Sequence, residues 1–235
     1  MYVKVTEVEH YTDRLFRFRT TRPSDFRFAA GEFTMLGFDD SDLKRAYSIA
    51  SGPYDEYLEF YSIKVDNGPL TSRLQNIKID DELEVGYKPT GTLTLSNLEL
   101  SGDLWLLATG TGIAPFISLL RDPTTYDSFS KIHVVWSVRK QQDLLAYNSF
   151  LQELDIDYIP TVTQDNEWVG INKRITKLIM SGVVLTDATP VNDKVMLCGS
   201  MDFNNDVKSM LGAWGWHEGN KTLAGNFVQE KAFVS

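Results

Sequence analysis

A change of rhythm near residue 100 constrains the fold more than any single motif. Up to residue 97 the chain runs in short alternating segments between turn residues, among them Leu15–Arg19, Phe33–Phe38, Leu58–Val65 and Glu82–Val85. Alternation of period two turns one side of each strand to a core and the other to water, and many such strands in series predict an antiparallel barrel or sandwich. Gly68–Leu74 interrupts them. It opens with Gly-Pro turn chemistry and continues as one helical turn, whose unpaired N–H groups suit an anion. After the polar stretch Ser96–Asp103 the pattern switches to continuous apolar strands at 104–108, 132–137, 158–163 and 194–198. Each is followed by a helical segment, at about 114–121, 141–154, 172–181 and 202–214. Strands apolar on both sides need cover on both faces, so this run predicts a parallel, doubly wound sheet. The expected fold is therefore two-domain, β plus α/β. An antiparallel β-barrel spans 1–98 and a parallel doubly wound α/β domain spans 99–235.

Composition narrows the function classes. A net charge of −9 argues against a nucleic-acid surface, which is normally basic. Locally, Arg14, Arg17, Arg19, Arg22 and Arg27 crowd one short region. They fit either a solvated, charged strand pair or a docking face for an acidic partner. One cysteine, Cys198, excludes an intrachain disulfide and a four-cysteine iron–sulfur cluster, and fits a reducing, cytoplasmic setting. The histidines, His10, His133 and His217, show no ligand-like spacing, so no metal site is expected. Strand-like residues begin at Tyr2, so no signal peptide is expected. The longest apolar run, Leu104–Leu120, is broken by glycines and a proline, so no membrane span is expected either.

Three short stretches carry chemistry. Lys44–Gly52 holds Arg45, Tyr47 and Ser48. A guanidinium offers a planar fork for phosphate and a tyrosine offers a flat surface with a polar tip, which together suit a ligand anionic at one end and aromatic at the other. The same residues also suit an edge strand with a surface arginine. Thr109–Pro115 is a glycine-rich strand-to-helix turn; Pro115 takes the place of the third glycine of the dinucleotide fingerprint. It reads as the ligand end of a parallel sheet or as a plain tight turn. Leu197-Cys198-Gly199-Ser200-Met201 is a second glycine turn at a later strand end, without the GxSxG pattern of a serine hydrolase.

Taken in order, Arg-x-Tyr-Ser, Gly-Pro-Leu-Thr-Ser, Gly-Thr-Gly-Ile-Ala-Pro and Cys-Gly-Ser resemble the ferredoxin–NADP reductase family, most of all its bacterial ferredoxin/flavodoxin type. Leu58–Val65, Pro89–Leu93 and Asn226–Val234 extend the resemblance over essentially the whole chain. The resemblance implies FAD in the barrel domain and NADP in the parallel one. Arg45 would hold the pyrophosphate, Ala46 and Tyr47 would line the flavin with Tyr47 stacked on its ring, and Ser48 would lie near the reactive nitrogen. Tyr61, Ser62, Ile63 and Lys64 would line the ribityl and adenosine side, and Leu70 and Thr71 would give backbone donors. Thr111, Thr163, Gly199 and Ser200 fall to the nucleotide side, Thr111 touching both cofactors. Ala232 and Phe233 match a tail that covers the flavin. Ser48, Cys198 and Glu230 are the implied catalytic residues, as positioning and polarising groups rather than covalent catalysts.

Coenzyme choice is where the chain departs from the family. Arg139 and Arg174 match two arginines for the ribose 2′-phosphate, but a third, right after Thr-Val-Thr, is Gln164 here. Each charge-assisted contact is worth about 1.5–3 kcal/mol, so NADP(H) is expected with NADH activity not closed off. The implied partner is a small acidic carrier, ferredoxin or flavodoxin, with no nucleic acid, no membrane and a monomeric chain. The rival readings are an NADH-using flavin or oxygenase reductase and a non-catalytic FAD-binding electron-transfer subunit. The lone cysteine leaves no iron–sulfur module for the former.

Overall fold

The computed structural model describes residues 1–65 and 67–231. Six strands, β1 (Tyr2–His10), β2 (Leu15–Thr21), β3 (Phe33–Gly37), β4 (Lys44–Ser48), β5 (Tyr57–Ile63) and β6 (Glu82–Val85), form a sheet in the order β4-β3-β6-β1-β2-β5. Every pairing is antiparallel. Just past the ends of the run, Ala50 N–H donates to Glu59 O at 2.8 Å and ties the β4 side to β5, giving a barrel-like sheet. The inward alternation of β1, β2 and β6 buries Val3, Val5, Phe16, Phe18, Leu83 and Val85. Each such side chain contributes roughly 1.5–3 kcal/mol.

The outward side of β1 and β2 takes up part of the arginine cluster. Arg17 pairs with Glu7 at 2.9 Å and Glu9 at 2.7 Å, and Arg19 with Glu7 at 2.9 Å and Glu59 at 2.8 Å. Arg22 donates to the carbonyls of Phe26, Pro53 and Asp55. Arg17 and Arg19 are thus engaged within the unit as a cross-strand charge ladder, while Arg14 and Arg27 are exposed.

The second sheet is parallel throughout: β7 (Asp103–Thr109), β8 (Lys131–Val138), β9 (Asp157–Val162), β10 (Asp193–Gly199) and β11 (Phe227–Lys231), in the order β11-β10-β7-β8-β9. Its β10 is buried along its whole length, as a centrally placed parallel strand must be. At the amino edge the His133 ring stacks on Trp105 at 3.9 Å and lies 3.1 Å from Asp157 and 3.3 Å from Asp103, a structural use of the histidine.

Helices α1 (Thr71–Leu74), α2 (Ala114–Leu120), α3 (Pro123–Ser128), α4 (Asn148–Glu153), α5 (Ile175–Met180) and α6 (Met201–Ala213) complete the fold. The expected helix at 141–154 is a 3-10 turn (Gln141–Leu144) and the short α4, broken at Tyr147, which sits at φ −136. The expected helix at 172–181 is only α5. Its first three residues stay outside the helix because Val162 N–H bonds Ile171 O at 3.0 Å and the Thr161 hydroxyl donates to Lys173 O. Helix α3 escaped prediction because Pro-Thr-Thr-Tyr-Asp-Ser has no apolar period, although its proline suits a first helical position. The tail enters the sheet as β11 before its described part ends.

The chain divides into two compact units, the first made of Met1–Gly91 with Ala114–Asp122 and the second of Thr92–Ile113 with the chain from Pro123 on. The expected boundary after residue 98 thus falls inside the leading segment of the second unit, and α2 is grouped with the antiparallel one. Among the described residues no helix is long and apolar enough to cross a membrane.

Candidate functional site

In the antiparallel unit β4 lies at the sheet edge, paired with β3 from Phe33↔Ser48 to Gly37↔Lys44. Arg45 and Ala46 are exposed on it, while Tyr47 and Ser48 are partly buried. Arg45 has only its neighbour's carbonyl, Lys44 O at 3.1 Å, and no carboxylate partner among the described residues. Its fork is available for an external anion. The Tyr47 hydroxyl lies 3.4 Å from Ser62 Oγ on β5, and its ring meets Phe60 edge-on at 6.4 Å. Burial raises the Tyr47 phenol above its ordinary value of 10, so it stays a neutral donor. Tyr61 and Ser62 are buried on β5, with Ile63 and Lys64 partly so; the Lys64 ammonium is taken by Thr12 O at 3.0 Å. Leu70 and Thr71 are buried at the start of α1, where a Cβ on Gly68 would fall 2.1 Å from Thr71 Oγ1. The structure thus brings Tyr47 and Ser62 together, and shows no hydrogen bond from Arg45 to Leu70 or Thr71 among the described residues.

In the parallel unit the two glycine turns interlock. A Cβ on Gly112 would lie 2.2 Å from Cys198 O, and one on Gly199 would lie 2.2 Å from Thr109 Oγ1. Only residues without a side chain allow this approach. Ser200 N–H donates to Thr109 Oγ1 at 3.2 Å, and Trp136 Nε1 donates to Gly110 O at 2.9 Å. Thr111 is partly buried in this turn, and Ser200 caps α6 by accepting from Phe203 N–H at 3.3 Å.

Cys198 and Glu230 face each other in register on β10 and β11. Burial pushes the Cys198 thiol well above its usual value, and Glu230 adds to the push, so a thiolate is disfavoured. Burial also raises the Glu230 carboxyl, an effect that the Thr92 N–H and hydroxyl offset only in part. Asn204 Nδ2 fixes the backbone here by donating to Glu230 O at 2.7 Å. The pair therefore holds a proton readily and offers no ready nucleophile.

Beyond the ends of β8 and β9 lies a cavity of about 520 Å³ lined by Thr163, Gln164, Asn172, Lys173, Arg174 and Lys177. Thr163 is held by Val138 O and Gln164 by Arg139 O, so the ladder continues past both strands to shape one wall. The non-helical Asn172–Arg174 segment shapes another. Three cations and no carboxylate make it an anion site, and none of the three has a carboxylate partner among the described residues. Arg139 is exposed and outside the lining. Asn172 and Lys177 were missed from sequence, since a helix through 172–181 hides which residues turn to one side. Ala232 and Phe233 lie outside the described residues.

Residues 106–209 match the oxidoreductase NAD-binding domain family. A ferredoxin–NADP reductase A of Sorangium cellulosum is 45% identical over 98% of this chain and 89% of its own. A flavodoxin/ferredoxin–NADP reductase of Rhodobacter capsulatus is 44% identical over 98% and 92%. The crystal structure of a ferredoxin NADP+ reductase from Neisseria gonorrhoeae with bound FAD and NADP superposes with a TM-score of 0.92 at 28% identity, covering 99% of this chain and 98% of that one.

Proposed function

Since the chain belongs to the ferredoxin/flavodoxin–NADP reductase family, we propose that it is a flavoenzyme moving hydride between NADP(H) and FAD, and single electrons between FAD and ferredoxin or flavodoxin. The observation that carries the reading is the cavity lined by three cations and no acid, none of the three with a carboxylate partner among the described residues, which suits a 2′-phosphate. Bound FAD would supply the exchange of a two-electron hydride for one-electron steps. The residues do the rest. Arg45 holds an anionic end, Tyr47 supplies a ring face fixed by Phe60 and Ser62, and Leu70 and Thr71 offer backbone donors. The interlocked turns at Thr111, Gly199 and Ser200 give the nucleotide a rigid edge, and Thr163 sits at the cavity wall. Ser48 and Glu230 would orient and polarise; burial raises the Glu230 carboxyl, so it would be available to hold a proton. Cys198 acts as a buried wall. Ala232 and Phe233 would cover the flavin, and the protein works as a cytoplasmic monomer.

A second reading, appreciable NADH use, is favoured by Gln164, which puts a neutral amide where the family pattern has a cation. Lys173 and Lys177 restore charge as mobile points rather than planar forks. The test is anaerobic bleaching of the yellow protein by each coenzyme. Arg174→Ala is expected to weaken NADPH binding about 10- to 100-fold while leaving NADH nearly unchanged, and Lys177→Ala to weaken it about threefold. Gln164→Arg should tighten NADPH by about tenfold. A protein that takes up no FAD ends the proposal; equal response to both coenzymes in every variant ends its NADP part.

A further inference from the structure

The chain leaving β4 has lost its ladder but not its burial. Ile49, Ala50 and Ser51 are fully buried, so each of their polar groups needs a partner. Ile49 N–H donates to Glu32 O at 3.0 Å and Ala50 N–H to Glu59 O at 2.8 Å. The carbonyls are received from far along the sequence. Ala50 O accepts from Arg121 Nη1 at 3.0 Å, and Ser51 O from the fully buried Ser118 hydroxyl at 2.7 Å. Ser51 Oγ in turn accepts from Glu59 N–H at 3.1 Å. The same Arg121 nitrogen lies 3.1 Å from Glu59 Oε1, while Arg19 and Arg17 of β2 reach Glu59 Oε2 at 2.8 and 3.8 Å. A Cβ on Gly52 would come 2.9 Å from Arg121 Cβ, so the segment and the end of α2 are in direct contact. Helix α2 buries Phe116, Ile117, Leu119 and Leu120, which suffices to seat it; the two polar side chains add something more specific. Both aim at neighbouring carbonyls of one three-residue stretch.

We infer that Ser118 and Arg121 are positioning residues for the flavin-side strand: they fix Ala50 and Ser51, and through them set where Tyr47 and Ser48 stand. No glycine lies between Arg45 and Ser51, so a displacement at Ala50 reaches Ser48 two residues away with no soft joint between them. Glu59 serves as the counter-ion that holds the guanidinium plane in place, with Asp55 a more distant neighbour at 3.7 Å. This rests on the reading that FAD binds against β4.

The experiment uses the holoprotein and reads three quantities: the FAD dissociation constant, the fine structure of the visible flavin bands, and the affinity for 2′,5′-ADP as a report on the parallel unit. Arg121→Gln should weaken FAD about tenfold or more and alter the bands, with 2′,5′-ADP affinity kept within about twofold. Arg121→Lys, which keeps the cation, should recover most of the loss, and Ser118→Ala should weaken FAD about threefold. Unchanged FAD affinity and bands in both Arg121→Gln and Ser118→Ala would overturn the inference. So would a parallel loss of FAD and 2′,5′-ADP affinity, the mark of general loosening. If Arg121→Gln fails to fold, Ser118→Ala, which deletes one hydroxyl and no charge, decides by the same two criteria. Wild-type protein that takes up no FAD would instead end the underlying reading, and it is measured first.

Discussion

Glu59 in the antiparallel unit and Glu230 in the parallel unit are both withdrawn from water, yet their surroundings drive them in opposite directions. Around Glu59, burial would lift the carboxyl, but Arg121, Arg19 and Arg17 outweigh it and hold the group below its ordinary range. Around Glu230, burial prevails over the lowering by the neutral donors of Thr92 and Leu93 and the weaker pull of Lys221. One unit uses a buried charge as a fastening; the other keeps a carboxyl ready to carry a proton. The same division separates the two candidate ligand faces. The antiparallel unit presents side chains from one edge strand, and the parallel unit presents glycine turns and loop cations.

The sharpest way to break this contrast is to neutralise each carboxyl in turn. Glu59→Gln leaves three guanidiniums around an uncharged amide and is expected to cost about 3–5 kcal/mol in a denaturant titration. Glu230→Gln should cost less than about 1 kcal/mol, since the carboxyl is already biased toward neutrality. Equal losses would erase the distinction. Next in size is Gly112→Ala, whose Cβ would meet Cys198 O at 2.2 Å and which should cost about 2–3 kcal/mol and weaken 2′,5′-ADP. Its companion Gly110→Ala has open space and only a φ of +54 to answer for, so about 1 kcal/mol is expected with nucleotide affinity kept.

The smallest effect is in pH dependence, and the two signs differ. Glu59, with its folded value lowered, stabilises the fold above its ordinary value of 4.5, and that stability is lost as pH falls through the lowered value. Glu230, with its folded value raised, contributes fully below 4.5, and that contribution is lost as pH rises through the raised value. Thermal melts from acid to neutral pH should therefore show wild type gaining on Glu230→Gln as pH drops. A difference that is flat or runs the other way removes the assignment of Glu230 as the proton-holding group.

The sequence was most readable where a site is made of consecutive residues. Arg45 to Ser48 lie on one short strand, and the glycine turns at 109–115 and 197–201 stand where strand patterns end, so chemistry and position could be read together. Legibility failed where partners are remote. Nothing in Arg17 or Arg19 says that Glu7, Glu9 and Glu59 will take them up, because that depends on the register of β1, β2 and β5. Lys177 and Asn172 were hidden by an expected helix that Thr161 and Val162 unwind at its start. That β11 joins the sheet next to β10 was likewise invisible, since a five-residue strand carries little pattern of its own.

The grouping of residues 114–122 with the first 91 has a practical corollary for protein engineers. A graft that severs the gene at the change of rhythm near residue 100 would leave Ser118 and Arg121 behind. The transplanted barrel would then carry two unanswered carbonyls, at Ala50 and Ser51, and a Glu59 short of one counter-ion. What must travel together is discontinuous in the gene, so a working chimera needs three crossovers rather than one.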